Sequence, residues 1–502
     1  MPPLLALFAW PAVVLILAQK YRAPLAFILA LLLGYLLLPT STSFNLPLLP
    51  TLTKHSIPAL SVLLFMVLMG TARPQDNELS MLPKNWIVRV ALLSYVLGVL
   101  MTVLTNGDVL RYGPTTLPGL RIYDGLSQVL GAIIALLPML LARKFLARPE
   151  HHVLLLQVLC IAALGYSLLA LIEVRLSPQL NMWVYGFFPH SFMQHARSGG
   201  WRPLVFLDHG LILSLFFSMS AFAAAAMWRW DSKNRGRYVA AMLWLLLILV
   251  LSKSLGALLI TLMLLPVAMM LPARSQLIVA AVFAGIVLIY PMVRSAGLVP
   301  INKVHNMVEQ IDPARAASLQ VRLENEDILL RKAHARPIFG WGGWGRSRVY
   351  DPETGRDMSI TDGYWIIALG VGGWVGYLSI FGMLCVPIAL LLRRCKQYQI
   401  GVETGVLALI LTANLIDLVP NSSITPITWI CAGALWGRLE LGRVEAGASI
   451  PESPGARPSI PFSRRDLPAP SDRADMVADA DGETARTPRY SRQKVQHERR
   501  RG

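Results

Sequence analysis

The stretch YWIIALGVGGWVGYLSIFGMLCVPIALLL, residues 364–392, decides the fold class, because no charged residue interrupts it over a length sufficient to cross a membrane. About 18 or more consecutive apolar residues predict a transmembrane helix, since only a helix or a closed barrel satisfies the backbone in lipid. Similar apolar stretches recur along the chain. Of its 502 residues, 55% are hydrophobic and 15% are charged, whereas a soluble domain usually has about 25% charged residues. The sequence therefore predicts an all-α, polytopic integral membrane protein.

The apolar stretches predict about thirteen transmembrane helices. The predicted spans are 3–19, 24–39, 57–72, 86–104, 124–142, 152–172, 204–227, 238–252, 255–271, 276–293, 364–392, 402–419 and 424–440. The eleventh span is long for one crossing, so a short interfacial helix at its start is an alternative. Two long loops, at about 173–208 and 294–362, follow the sixth and tenth spans.

The positions of Lys and Arg in the short loops predict the orientation of the chain. Basic residues cluster after odd-numbered spans, as with Arg143 and Lys144 after the fifth and Arg393 and Arg394 after the eleventh. Because such residues favour the cytoplasmic side, we expect the N-terminus outside and the C-terminus inside. Both long loops and the loop at 106–123 then lie outside. The start Met1-Pro2-Pro3 lacks the basic region of a signal peptide, so the first helix is expected to be retained.

Composition divides the chain into a membrane region, residues 1–440, and a cytoplasmic tail, residues 441–502. The tail is rich in Pro, Ser, Arg and Asp and is expected to be disordered, because it cannot bury enough apolar surface to fold. The net charge of +17 lies largely in the short loops and this tail, so it does not indicate a nucleic-acid partner. The four cysteines form no Cys-x-x-Cys pattern and predict neither a disulfide framework nor a thiolate metal site.

The first long loop carries candidate residues close to the next span. Arg202 precedes Pro203, which limits local freedom, and a guanidinium can bind a phosphate through two parallel hydrogen bonds. Asp208 and His209 lie at the membrane boundary, where ionisable groups are candidates for function. The alternative is structural, with Asp208 capping the helix start or His209 making one satisfied hydrogen bond. Lys253, in the turn between spans eight and nine, is either a snorkelling residue or a charge facing a phosphate.

The second long loop contains an amphipathic helix at about 314–336 that ends before Pro337. Its spacing favours surface ion pairs of Arg322 with Glu326 and of Asp327 with Arg331. Arg315 and Arg322 share one helix face, so one of them could point into a cavity under the loop. Asp362, directly before the eleventh span, is either a helix N-cap or a general base.

Two glycine clusters follow this helix. Residues 340–345, GWGGWG, match a dinucleotide-binding pattern, but the required strand and helix context is missing. We interpret them as a tight turn with Trp341 and Trp344 at the membrane interface, or alternatively as a sugar-stacking site. The glycines between 370 and 376 indicate close helix packing. Neither a metal-ligand cluster nor a phosphate-binding loop occurs, so no metal or cofactor is expected.

In order and spacing, these motifs resemble the bacterial O-antigen ligase and polysaccharide polymerase superfamily. The resemblance covers about residues 197–377. It rests on Arg202-Pro203, Ser252-Lys253-Ser254-Leu-Gly256, Arg322, Arg336-Pro337-Ile-Phe-Gly340-Trp-Gly342 and Leu369-Gly370-Val-Gly372-Gly373-Trp-Val-Gly376. Many members open the last of these helices with His-Asn, whereas this chain has Asp362-Gly363, so Asp362 would have to replace the histidine.

The resemblance implies a GT-C-like glycosyltransferase of the bacterial inner membrane that acts on its periplasmic side. An acceptor sugar hydroxyl would attack an undecaprenyl-pyrophosphate-linked oligosaccharide. The partners it implies are the membrane lipids, a flippase and a chain-length regulator. The expected catalytic residues are Asp362, His209 and Arg322. The expected pyrophosphate-binding residues are Arg202, Arg322, Lys253, Arg315 and Arg336.

The acceptor decides between two related activities, and two other classes of protein stay open. Asp362 and the broad external loops favour a polysaccharide polymerase over an O-antigen ligase. A polysaccharide or lipid transporter is an alternative of another class, for which Asp417 in the twelfth span would be the residue of interest. A sensor or scaffold that acts through its cytoplasmic tail is a third.

Overall fold

The structure is a computed structural model that describes residues 2–45, 49–68, 79–189, 191–197, 199–298, 306, 309–310, 313–422 and 424–448. These residues fold mainly into α-helices. The helices are α1 Pro3–Lys20, α2 Ala23–Leu37, α3 Ile57–Leu68, α4 Trp86–Leu104, α5 Ile122–Phe145, α6 Pro149–Leu176, α7 Leu180–Tyr185, α8 Gly210–Trp230, α9 Arg235–Leu251, α10 Leu255–Met270, α11 Ala273–Ser295, α12 Pro313–His334, α13 Tyr364–Arg394, α14 Val402–Asp417 and α15 Pro426–Ala448.

Three short antiparallel hairpins and a 3₁₀-helix complete the described secondary structure. The 3₁₀-helix is Phe192–His195. The hairpins pair β1 Ser43–Phe44 with β2 Leu52–Thr53, β3 Leu110–Tyr112 with β4 Thr115–Leu117, and β5 Ala196–Arg197 with β6 Gly200–Trp201. All of them lie in loops between apolar helices.

The all-α fold class is confirmed. Each of the thirteen predicted spans contains a helix, while α7 and α12 lie in the two long loops. Seven helices are long and apolar enough to cross a membrane, namely α1, α4, α5, α6, α8, α11 and α13. Helices α2, α3 and α10 are apolar but shorter. The protein is therefore membrane-embedded by composition and length, and thirteen crossings stay a prediction.

The last helix extends beyond the predicted end of the membrane region. Helix α15 continues to Ala448 rather than ending near residue 440. The Arg438 guanidinium lies 2.9 Å from the Glu445 carboxylate, two helical turns further on. It also donates to Tyr398 O at 2.5 Å. These contacts hold the first part of the predicted tail in helical form. The rest of that tail lies outside the described residues.

Helix α8 is the centre of the helix bundle. Its side chains are buried along nearly the whole length, among helices α6, α9, α10 and α14. Small residues on α8, such as Ser218 and the run Ala223–Ala226, allow these neighbours to approach closely. Ser218 Oγ accepts a 2.6 Å hydrogen bond from Thr261 on α10, which satisfies two hydroxyls inside the bundle.

One end of the bundle, here called the loop face, is formed by loops that follow even-numbered predicted spans. Lys54 in the α2–α3 loop meets Asp208 before α8, and Arg336 after α12 meets the loop between α4 and α5. The turn between α9 and α10 and the start of α13 join the same end through further hydrogen bonds. All the candidate site residues belong to this face.

The opposite end, here called the basic face, is formed by loops that follow odd-numbered spans. Arg143 at the end of α5 pairs with Glu440 of α15, and both are buried. Arg229 at the end of α8 donates to Leu271 O at 2.6 Å. Loops that follow even-numbered spans thus meet at one end of the bundle, and loops that follow odd-numbered spans meet at the opposite end. Alternate crossing of a membrane predicts this arrangement.

Helix α13 is interrupted at Gly373, whose φ of +62° and ψ of −163° lie in a region essentially restricted to glycine. The interruption frees backbone groups, and the 337–342 segment bonds to them. Trp341 N donates to Gly370 O at 2.8 Å and Gly342 N to Val371 O at 2.9 Å. In return, Trp374 N donates to Pro337 O at 2.8 Å. The glycines that the sequence assigns to packing and to a tight turn thus form one backbone-to-backbone junction.

Candidate functional site

Arg202 is positioned by its own loop and by a glycine at the start of α8. Hairpin β5–β6 directs the chain back, and Arg202 N donates to His195 O at 2.8 Å. A Cβ added at Gly210 would lie 2.5 Å from Arg202 Cγ, so the absence of a side chain at Gly210 makes room for the arginine. Arg202 therefore lies across the first turn of α8.

The Arg202 guanidinium is buried and largely unsatisfied. Its side chain is only 6% exposed, and Nη2 donates to Lys253 O at 3.0 Å. Nε and Nη1 have no hydrogen-bond partner within the described part of the chain. Burial lowers the pKa of Arg202 to about 10, and the like charges of Arg197 and Arg322 add to this shift. A buried cation in this state gains from any anion that reaches it.

Lys253 adds a second cation beside Arg202. It occupies the α9–α10 turn with a φ of +53°, an unfavourable backbone conformation for a residue with a side chain. Its Nζ donates to Arg197 O at 3.3 Å, so the turn and hairpin β5–β6 are joined. Together, Arg197, Arg202, Lys253 and Arg322 are here called the cationic site.

Arg322 and Asp362 form an ion pair at the open side of the cationic site. Arg322 Nε lies 3.3 Å from Asp362 Oδ2, and the two side chains are 42% and 40% exposed. Helix α13 begins after Gly363, and no side chain caps its start. Asp362 is therefore not an N-cap. Because the pair is exposed, it is weak enough for another anion to displace it.

His209 is the N-cap of α8. Its Nδ1 accepts a hydrogen bond from Leu211 N at 3.1 Å, which assigns the ring proton to Nε2 in the neutral form. The ring lies 5.2 Å, centroid to centroid, from that of buried His195. His195 Nδ1 in turn lies 3.3 Å from Arg202 O. His209 therefore makes the satisfied hydrogen bond that was the structural alternative to a functional role. It also lies beside the cationic site.

Arg336 belongs to a different cluster of the loop face. It lies 2.8 Å from the Asp108 carboxylate, and its guanidinium carbon lies 4.2 Å from the centre of the Trp341 ring. Arg346, almost fully buried, also bonds to Asp108, at 3.2 Å. Burial alone would raise the pKa of Asp108, but the hydrogen bond from Arg336 and the charges of both arginines lower it. This cluster fastens the α4–α5 loop to the second long loop.

Two acidic residues of α12 pair with an arginine outside their own helix. Glu326 lies 3.4 Å and Asp327 2.7 Å from Arg294 at the end of α11. The predicted partners within the helix were Arg322 and Arg331, so tertiary pairing prevails over helix spacing here. The backbone of Arg315 belongs to α12, while its side chain lies outside the described part of the structure.

A charged cluster that the sequence pattern did not indicate lies next to the site. Buried Lys54 lies 3.5 Å from Asp208 Oδ2, and His55 Nε2 lies 3.3 Å from the same oxygen. The Thr40 hydroxyl also donates to Asp208. Burial alone would raise the pKa of Asp208, but the hydrogen bond from His55 and the charge of Lys54 lower it to about 2. The only available signal was a Lys-His pair in a short loop between apolar segments.

Asp417 lies at the end of α14, near the start of α13. Its side chain is buried, and it accepts a hydrogen bond from Asn421 Nδ2 at 2.8 Å. The Tyr364 N–H bonds to Leu418 O and Asn421 O in the same turn. Asp417 thus supports the segment that carries Asp362.

Neither the described side chains nor known relatives assign a metal or a family to the site. Among the described residues, no group of three or more His, Cys, Asp or Glu side chains could hold a metal ion. The chain matches no known protein-family model, and a comparison with curated proteins gives no match either.

Proposed function

We propose that the protein is a membrane glycosyltransferase that polymerises a surface polysaccharide from an undecaprenyl-diphosphate-linked donor. The observation that carries this proposal is the buried guanidinium of Arg202, which has two nitrogens without a partner in the described structure. Such a group favours a compact, multiply charged ligand that supplies several acceptor oxygens. Arg202 lies across the start of α8, a helix long and apolar enough to cross a membrane, so the proposed ligand is a diphosphate attached to a lipid.

The proposed diphosphate lies between Arg202 and Arg322, with Lys253 at its side. Arg322 pairs with Asp362. An incoming diphosphate competes with Asp362 for that arginine, because it carries more charge. Binding of the donor therefore releases the Asp362 carboxylate next to the reacting sugar.

Asp362 is the proposed proton acceptor, and His209 is the weaker candidate because its Nδ1 lone pair already accepts the Leu211 N–H. The acceptor hydroxyl oxygen bonds to the anomeric carbon as the bond from that carbon to the diphosphate breaks. The proton passes to Asp362, and undecaprenyl diphosphate leaves with the bonding electrons. Arg202 and Arg322 stabilise the charge that grows on the leaving group, and each such interaction is typically worth about two to three orders of magnitude in rate.

The proposal includes membership of the O-antigen ligase and polymerase superfamily, with the loop face on the periplasmic side of the inner membrane. Departure from the His-Asn pattern at Asp362-Gly363 favours polymerase over ligase. The two activities share the donor and differ in the acceptor, so one experiment separates them.

The test uses cells that lack the protein and express either the wild type or one of three variants. Arg202→Met keeps the apolar stem and removes the charge, Arg322→Ala removes the second cation, and Arg348→Met is the matched control. Arg348 is an exposed arginine of the same loop that pairs with Asp357 at 2.6 Å. Lipid-linked and surface polysaccharide are then compared on one gel.

Accumulation of single repeat units with the first two variants, and a normal ladder with Arg348→Met, is the expected result. Because Arg202 has no counter-ion among the described residues, Arg202→Met should fold at least as stably as the wild type, so loss of polymer would not reflect loss of protein. Long polymer retained on the carrier would assign a ligase instead. An unchanged ladder with Arg202→Met would overturn the proposal and favour a transporter.

A further inference from the structure

A cleft of about 450 Å³ opens beside the α4–α5 loop, at a distance from the cationic site. It is lined by the end of β4 and the turn after it, by the start of α5 and by the GWGGWG loop. The lining includes Leu117, Leu120, Arg121, Tyr123, Trp344 and Arg346. It is here called the Trp344 cleft.

Trp344 is held out of the protein rather than buried. Its side chain is 61% exposed, and its φ of +52° lies in the left-handed region that side chains disfavour. Strained backbone of this kind clusters at ligand sites. Trp341, from the same motif, is buried and lies under the Lys332 ammonium group, 3.7 Å from its ring centre. One tryptophan therefore holds the loop together, and the other is presented to the outside.

The rest of the cleft combines a second exposed ring with fixed polar groups. Tyr123 is exposed beside Arg121, whose backbone N–H donates to Asp124 at 2.7 Å. Buried Arg346 donates to Pro118 O at 2.9 Å and fixes the floor. An open cleft with flat aromatic faces and a few polar groups suits a ligand with both apolar ring faces and hydroxyls. A lipid chain would make no use of the polar groups.

Helix α12 connects the cleft to the cationic site. Trp341 Nε1 donates to Lys332 O at 2.7 Å, near the end of α12 that adjoins the GWGGWG loop. Arg322 lies ten residues earlier on the same helix, which corresponds to about 15 Å. A glycan chain of several sugar residues spans such a distance, whereas a monosaccharide does not.

We propose that the Trp344 cleft binds sugar residues of the acceptor glycan, several units away from the reacting hydroxyl. This inference rests on the proposed function for the identity of the chain, and the binding itself needs no transfer reaction. The cleft then acts as a guide that retains the growing polysaccharide between additions. Its loss should shorten the polymer rather than abolish it.

Binding is tested with purified protein in lipid nanodiscs and oligosaccharides released by mild acid from the host's own surface polysaccharide. Saturation-transfer NMR measures contact between protein and sugar. The variants are Trp344→Ala and, as matched control, Trp230→Ala, because Trp230 is 62% exposed at the basic end of α8. We expect at least a tenfold loss of affinity with Trp344→Ala and none with Trp230→Ala. Equal affinity for both, or no binding by the wild type, would overturn the inference.

A second comparison separates this inference from the proposed function. Arg202→Met should retain oligosaccharide binding while losing polymer, and Trp344→Ala should give shorter polymer in cells. If the wild type binds oligosaccharides through Trp344 but makes no polymer, the glycan site stands and the transferase proposal fails. A normal chain length with Trp344→Ala would refute the proposed role of the cleft in retaining the polysaccharide. Trp344-dependent quenching by brominated lipids would instead place this residue in the aromatic belt of the membrane interface and also refute it.

Discussion

Arg202 differs from the other buried arginines of the loop face in what surrounds its guanidinium. Arg294 lies 2.7 Å from Asp327, and Arg346 lies 3.2 Å from Asp108. Those side chains connect loops, because a carboxylate already neutralises each of them. Among the described residues, the Arg202 guanidinium bonds only to a carbonyl, Lys253 O. Pairing with a carboxylate thus distinguishes Arg294 and Arg346, which stabilise the structure, from Arg202, which is available to a ligand.

At the same scale, replacing Asp362 with Asn should remove turnover and retain donor binding. The amide cannot accept the proton, so we expect kcat to fall by about two to four orders of magnitude. KM for the donor should fall or stay unchanged, because Arg322 no longer pairs with a carboxylate. Steady-state transfer by protein in nanodiscs measures both constants. Asp357→Asn, in the same loop, should retain its rate, and a similar loss there would refute a specific role for Asp362.

The cluster around Asp208 predicts an acid-dependent loosening of the loop face. The folded pKa of Asp208, about 2, lies below the usual value. A carboxylate with a depressed pKa stabilises the fold above its unfolded pKa and loses this effect as the pH falls through the folded value. The Tm of the wild type should therefore fall between about pH 4 and pH 2. The Tm of Asp208→Asn should fall less over the same range. Parallel curves for the two proteins would contradict this role.

The sequence identified Arg202, Lys253, Arg322 and Asp362 because charge beside proline, in a tight turn or at a helix start is unusual near a membrane. Lys54 and His55 could not be found in this way. Their partner Asp208 is about 150 residues away, and nothing local to either segment indicates that they meet. Arg336 was equally conspicuous in sequence, yet it faces Asp108. Local chemistry selects candidates, and long-range pairing decides which of them remain without a partner.

At the scale of elements, the interruption of α13 gives a sharp test with a neighbouring control. A Cβ at Gly373 would lie 2.3 Å from Ile338 O and would require a backbone conformation that other residues rarely adopt. We expect Gly373→Ala to destabilise the fold by about 3 kcal/mol or more. A Cβ at Gly372 meets nothing within 4 Å, so Gly372→Ala should be tolerated. Thermal unfolding in detergent measures both, and equal stability would refute the role of the junction.

The hydrophobic pattern predicted the positions of the helices. It did not predict the junction between the 337–342 segment and the interruption of α13. The thirteen apolar segments are long and strongly apolar, so their positions agree with the helices to within several residues. Glycines at 370–376 and 340–345 indicated only close packing and a tight turn. Which glycine breaks the helix depends on the second segment that replaces its hydrogen bonds. That segment approaches only in the folded protein.

At the scale of the whole molecule, the two faces predict the sidedness of labelling. The four native cysteines are all buried, so an introduced cysteine is the reactive one. Thr116→Cys, at an exposed position of the loop face, should react with a membrane-impermeant maleimide in intact spheroplasts. Gln397→Cys, exposed on the basic face, should react only after the membrane is permeabilised. The reverse pattern would invert the topology, and equal labelling of both in intact spheroplasts would contradict alternate crossing.

Arg202, which is buried and pairs with no carboxylate in the part of the chain that the structure describes, also affects how much of the protein a cell retains. The charge of Arg202 is not neutralised by any described side chain, so an anion that binds it shifts the folding equilibrium by mass action. Ligand at a hundred times its Kd adds about 2.7 kcal/mol of stability. Inorganic diphosphate should therefore raise the Tm of the wild type and leave that of Arg202→Met unchanged. On the proposed function, the abundance of the protein in the cell would follow the supply of the lipid-linked donor, and starvation for the carrier would remove the protein together with that donor.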